Sequence, residues 1–229
     1  MADHPGPSTG GVSFPDVGVQ RDVELATDAQ HRLDEWLTAL CDDGELDGAD
    51  PSLLPGWTVG HVLAHLRFNA ESHTRMFVAA ARGDVGEQYP GGAARRDREI
   101  DEHADRPAPE QVEAIRAANR ELEARWASSR WEGGGARGGG ITPLTELPFL
   151  RLREVELHRV DLGLGYELAD LSPDYVRLEL RRLEMLWTAR RPMGLTGLPR
   201  LALELEPHQR LGWLSGRLDV DGLAPADVF

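Results

Sequence analysis

The sequence predicts a mainly α-helical fold: a helical bundle followed by a small C-terminal α/β part. Three observations carry that expectation. Long stretches repeat apolar residues at helical spacing, as in Val112, Ile115, Leu122 and Trp126. Two polar groups recur at i, i+4 inside otherwise apolar helices, His61 with His65 and Glu154 with His158. Near the C-terminus, Leu201-Ala-Leu-Glu-Leu-Glu206 alternates in the manner of a strand.

The elements follow in order. Residues 1–20 are rich in Gly, Pro and Ser and read as a flexible N-terminal arm. A first helix runs from about Asp22 to Leu40 on a stripe of Ala26, Ala29, Leu33, Trp36, Leu37 and Leu40. Thr58 is placed to cap a second helix reaching about Arg82. The segment from Gly83 to Arg106 is polar and reads as a loop with an arginine cluster at Arg95, Arg96 and Arg98. Pro109 opens a third helix ending near Trp126, and a fourth starts around Thr145 and ends at Gly163. Gly133 to Gly140 lacks the fixed glycine spacing and Gly-Lys-Ser/Thr ending of a phosphate loop, so it reads as a flexible turn. Ser172-Pro173 starts a fifth helix with Val176, Leu180, Leu183 and Trp187 inward, and Leu211 to Arg217 forms a last short one.

Bulk properties narrow the function classes. With 229 residues the chain has enough length to bury a core without disulfides or structural metals. Its net charge of −14 disfavours nucleic acid, whose phosphates this surface would repel. No apolar run approaches the roughly 18 residues of a membrane span, so no membrane association is expected, and no signal-peptide pattern opens the chain; the expected compartment is the cytoplasm. The single cysteine, Cys41, excludes an intramolecular disulfide or a cysteine-rich metal cluster. Acidic neighbours at Asp42 and Asp43 blunt its nucleophilicity, so any thiol chemistry needs a thiol from outside.

The densest chemistry lies in Glu154-Val-Glu-Leu-His158-Arg-Val-Asp161. On a helix, Glu154, His158 and Asp161 share a face, which joins an acid, an imidazole and a second acid. A second helix bearing His61 and His65 can face it across a bundle and complete a site of the His/Glu/His type, which leaves one coordination position open. By spacing alone either His61 or His65 is the ligand. Asp161 is then a supporting acceptor or general base, or simply a last-turn acid. An arginine of the 95–98 cluster folded over the bundle mouth could clamp a carboxylate, and Arg217 is open between that role and a solvated one.

Two segments carry a resemblance. Leu53-Leu-Pro-Gly-Trp-Thr-Val-Gly-His-Val-Leu-Ala-His65 and Arg153-Glu-Val-Glu-Leu-His-Arg-Val-Asp-Leu-Gly163 are similar to the signature segments of mycothiol-dependent maleylpyruvate isomerases, within the DinB-like metal-binding superfamily. The resemblance implies a DinB-like four-helix bundle over residues 21–168 and a shortened C-terminal α/β region over 169–229. It implies a divalent metal, usually zinc, held by His65, Glu154 and His158, with His61 outside the ligand set. It also assigns catalytic roles to Arg96, Asp161 and Arg217, with Arg96 and Arg217 contacting the carboxylates of substrate or thiol cofactor.

The activity so implied is addition of the mycothiol thiolate to an electrophilic small molecule, with cis–trans isomerisation of maleylpyruvate to fumarylpyruvate as the leading reaction. The alternatives are a mycothiol S-transferase acting on another electrophile and a non-catalytic metal-dependent binding module. Monomer and dimer are both compatible with the sequence.

Overall fold

The computed structural model describes residues 14–191, 197–226 and 228. Four helices form the bundle: α1 (Val17–Asp42), α2 (Val59–Ala80), α4 (Ala108–Ser128) and α5 (Leu147–Asp161). Helix α2 packs on α4 and α5, and α1 packs on α5 and α4. Of the stripe predicted for α1, Ala26, Ala29, Leu33 and Leu37 are buried, whereas Trp36 and Leu40 are half-buried. Helix α4 likewise buries Val112, Ile115, Leu122 and Trp126.

A single guanidinium ties the four helices together. Arg151 of α5 is fully buried and donates from Nε to Gln30 of α1 at 2.9 Å and from Nη2 to Asn119 of α4 at 2.8 Å. Its Nη1 donates to the Leu66 carbonyl and the Asn69 side chain of α2 at 3.0 and 2.9 Å. Asn119 passes the network on to Asp34 of α1 at 3.0 Å. A buried charge is tolerable only when its donors are satisfied, and this arrangement supplies acceptors from three neighbouring helices. Burial still depresses the guanidinium, to a pKa of about 10.

The structure corrects the sequence reading in four places. Of the expected arm, residues 1–13 lie outside the described residues, whereas Val17 to Gln20 form the first turn of α1, because the Asp16 side chain accepts from Val19 N at 2.9 Å. The polar 83–106 segment contains strand β1 (Gly86–Glu87) and helix α3 (Ala93–Ala104). That helix buries only Ile100 and Ala104, so it has almost no apolar stripe to betray it.

The Gly133–Gly140 turn is instead the core of a small sheet, β2 (Gly134–Arg137) antiparallel to β3 (Gly140–Pro143), with β1 parallel to β2. Gly138 and Gly139 form its two-residue turn with φ of 53° and 85°, a geometry that suits the strand twist and that only glycine adopts freely.

The alternating Leu201–Glu206 stretch is not a strand. It forms the short helix α7 (Arg200–Glu204), after α6 (Pro173–Arg190) and before α8 (Pro207–Leu214). Among the described residues no strand lies beside it to pair with. The carbonyls of Ala202, Leu203 and Leu205 are collected instead by the Arg210 guanidinium at 3.1 to 3.4 Å. The strands among the described residues therefore belong to the middle of the chain, and the C-terminal region is helical, with α6 packed on α8 and against α5. Among the described residues no helix is long and apolar enough to cross a membrane.

Candidate metal centre

The loop before α2 brings the two predicted segments together. Leu53 N donates to the carbonyl of Asp161 at the end of α5 at 2.8 Å, and Ser52 Oγ bridges Leu54 N and Trp57 O within the Leu53–Trp57 turn. Helix α2 then starts at Thr58, whose backbone N and hydroxyl lie 3.2 and 2.8 Å from His61 Nδ1. His61 is thus engaged in capping α2. One turn further along, His65 points across the bundle to α5.

There, His65 Nε2 lies 2.8 Å and His158 Nε2 3.3 Å from the same carboxylate oxygen, Oε2 of Glu154. The imidazole rings meet edge to face with centroids 4.6 Å apart. One nitrogen or oxygen from each of His65, Glu154 and His158 falls within 4.8 Å of the others. Trp57 closes one side, its ring centroid 5.7 Å from that of His65.

The electrostatics suit a cation. Burial opposes ionisation of Glu154, but hydrogen bonds to His158 and His65 hold its carboxyl well below the usual range. Burial, reinforced by the proximity of His158, lowers the pKa of His65 and favours the neutral imidazole that ligates metals. His65 Nδ1 is buried without a hydrogen-bond partner, so Nε2, facing Glu154, is the ring's polar anchor. Two imidazoles and a carboxylate converging on one point fit a divalent ion of the zinc type with a coordination position left for an exogenous ligand.

Behind His158 stands a second layer. Its Nδ1 lies 2.8 Å from Asp161 Oδ2, an ionic contact rather than a directed hydrogen bond. Burial works against protonation of His158, yet Asp161 and Glu154 raise its pKa. Asp161 in turn accepts from Arg217 Nε at 2.9 Å and Nη2 at 2.7 Å, while Arg217 Nη1 donates to the Ser215 carbonyl at 3.0 Å. The Arg217 guanidinium is therefore bound to the protein's own carboxylate.

Arg96 stands apart from this cluster, on α3. Its Nε and Nη2 donate to Asp97 at 2.9 and 2.7 Å, and its guanidinium carbon lies 5.6 Å from the centre of the Tyr89 ring. Its charge still reaches His65 and lowers that ring's pKa further. Cys41 has a raised pKa, as expected, although burial outweighs Asp42 as the cause. Sequence reasoning passed over Arg151, Tyr89 and Arg137; an arginine amid Pro-Phe-Leu-Arg-Leu was the one visible signal, for Arg151.

A four-helix bundle with a His/Glu/His cluster between α2 and α5 defines the class as a candidate metal-binding helical-bundle protein. Residues 26–163 match the mycothiol maleylpyruvate isomerase N-terminal domain, and the chain belongs to that family. A crystal structure of a mycothiol-dependent maleylpyruvate isomerase is similar at a TM-score of 0.73 and 20% identity, over 87% of this chain and 89% of that one. A histidine-to-alanine mutant of a mycothiol-dependent maleylpyruvate isomerase gives a TM-score of 0.66 and 22% identity, over 75% of this chain and 72% of that one. At such identities these likenesses establish the fold. No curated protein matches this sequence.

Proposed function

We propose that this protein is a metal-dependent, mycothiol-using enzyme that adds a thiol to an electrophilic small molecule, with isomerisation of maleylpyruvate to fumarylpyruvate as its reaction. The observation that carries the reading is the convergence of His65, Glu154 and His158 in a chain of this family. Those three residues would hold a divalent ion, proposed to be zinc. A bound metal would lower the pKa of a thiol, and a thiol that adds to a conjugated double bond and then leaves converts the cis isomer to the trans isomer.

The remaining steps belong to the chain's own residues. Glu154 stays anionic beside two neutral-to-cationic rings and supplies the negative charge of the site. Asp161, against Nδ1 of His158, favours the tautomer whose Nε2 would offer its lone pair to a metal ion held with Glu154. Arg217 holds Asp161 in that position, which is how residues 169–229 would serve the site. The Trp57 ring packs beside His65 at the edge of the site. Arg96 places positive charge where a substrate carboxylate would approach.

The test is metal analysis of the purified protein followed by incubation with mycothiol and maleylpyruvate, monitoring isomer and thiol adduct together. Near-stoichiometric metal with thiol-dependent fumarylpyruvate formation supports the reading. A stable adduct without isomer would assign a mycothiol S-transferase, and absence of metal from protein purified and reloaded with zinc would overturn the metal site.

A further inference from the structure

A cavity of about 740 Å³ opens between the start of α3 and the β2–β3 hairpin, lined by Gln88, Tyr89, Arg96, Arg137 and the glycines of the hairpin turn. Its two cations come from unrelated parts of the chain. Arg96 reaches it from α3, braced over the Tyr89 ring. Arg137 reaches it from the end of β2, because Gln88 N donates to Ala136 O at 3.0 Å and so sets the two strands side by side.

Arg137 is built in rather than dangling. Its Nε donates to Gln88 Oε1 at 2.9 Å, and Gln88 itself is fixed by Arg75, whose Nη2 donates to the Gln88 carbonyl at 3.1 Å. That bond to Gln88 is the one directed hydrogen bond Arg137 makes among the described residues, and it engages Nε alone. Burial lowers the Arg137 pKa, and the charge of Glu154 opposes that effect, so the guanidinium lies within electrostatic reach of the candidate metal ligands.

The α2 face next to the lining residue Tyr89 is polar and incompletely satisfied. Asn69, Ser72 and His73 extend the α2 stripe that begins at His65, and all three are buried. Asn69 Nδ2 and both ring nitrogens of His73 lack partners. The Tyr89 hydroxyl sits beside Asn69 and Ser72. Among the lining residues the one acid is Glu87, which is exposed at the rim. Arg96 is half-buried and shares its Nε and Nη2 with Asp97, whereas Arg137 is half-buried, partly desolvated and keeps its two terminal nitrogens for a carboxylate, to which arginine offers two parallel donors.

We propose that Arg137 is a specificity-determining residue of the acceptor site, binding with Arg96 a carboxylate of an acidic, conjugated acceptor held in this cavity within electrostatic reach of the candidate metal ligands. Neutral electrophiles lack this anchor and are poor acceptors. The inference rests on the thiol-addition reading for the identity of the acceptor, but not for the existence of a carboxylate site.

The experiment is a calorimetric titration of the full-length, metal-loaded protein with succinate, a dicarboxylate that cannot accept a thiol, and with dimethyl succinate as the uncharged control. Wild type binds succinate and not the ester. Arg137→Gln weakens succinate binding by about ten- to a hundredfold, the scale of one lost charge-assisted hydrogen bond, and Arg137→Lys recovers part of the loss with metal content and thermal midpoint unchanged. With maleylpyruvate and mycothiol, Arg137→Gln raises KM far more than it lowers kcat. Equal succinate binding in wild type and both variants, equal binding of the ester, or no succinate binding at all overturns the proposal. Succinate binding needs neither thiol nor turnover, so it survives a failure of the isomerase reading. An active Arg137→Gln enzyme with unchanged KM overturns this proposal alone.

Discussion

Asp161 and Arg217, 56 positions apart in the chain, are joined by two parallel nitrogen–oxygen bonds of 2.9 and 2.7 Å. Burial alone would raise the Asp161 carboxyl, but the contact with His158 and the bonds from Arg217 reverse that and keep it ionised. The C-terminal region is thereby coupled to a candidate metal ligand through a single carboxylate. Arg217→Ala releases that carboxylate and the orientation of His158 behind it. Thiol-dependent turnover is expected to fall by about ten- to a hundredfold, the usual cost of losing an outer-layer partner, with metal content retained after zinc loading. Arg217→Lys does not restore it, because one ammonium cannot reproduce the bidentate geometry. Unaltered kinetics in both variants would show that the C-terminal region does not serve the site.

His61 and His65 occupy successive turns of α2 but have different partners. His65→Ala removes an imidazole aimed at Glu154 and is expected to abolish most metal binding, read by elemental analysis after dialysis. His61→Ala loses the contacts at Thr58, Trp57 and Asp101 but none to Glu154, and should retain metal while lowering stability by about 1 kcal/mol, the cost of a lost cap. The reverse outcome would move the ligand set by one helical turn.

Gly60 is the point where α2 meets the end of α3. A methyl group there would stand 2.0 Å from the Ala104 carbonyl oxygen, a backbone atom that cannot swing aside. Gly60→Ala should destabilise the protein by about 1–3 kcal/mol, measured by urea unfolding, and should displace the helix that carries Arg96. Wild-type stability together with wild-type turnover would show that α3 yields freely.

His73 gives the protein a sensitivity to acid. Burial, aided by the charges of Arg137 and Arg151, lowers its pKa to about 3, against about 6.5 in the unfolded chain. The unfolded state therefore binds a proton that the native state refuses. Stability is lost as pH falls from about 6.5 towards 3, at up to about 1.4 kcal/mol per pH unit. Between pH 7 and pH 5 wild type should lose about 2 kcal/mol more than His73→Leu, compared by urea unfolding of each protein at both values. Parallel losses in the two proteins would mean that His73 is protonated in the fold or relieved by relaxation.

Helical periodicity made the bundle legible in the sequence, because α1 and α4 each bury an apolar stripe while α2 and α5 are buried on most faces with polar groups at helical spacing. The same local spacing put Glu154, His158 and Asp161 on one face before any packing was known. Spacing could not choose between His61 and His65, since both lie on that side of α2; the resemblance pointed to His65, and the cap at Thr58 accounts for His61. Helix α3 escaped because two buried residues make no stripe, and Leu201–Glu206 misled because alternation implies a strand only where a partner strand exists.

What the sequence by itself determined is what depends on neighbours within about one turn: the four bundle helices, the cap at Thr58 and the acid–imidazole face of α5. The tertiary structure decided which distant groups meet: His65 with Glu154, Arg217 with Asp161, Arg151 with three other helices, and Arg137 with Arg96 around one cavity. The physical reason is that periodicity reports which side of a helix is buried, whereas the partner on that side is selected by the packing angle and register of the whole bundle.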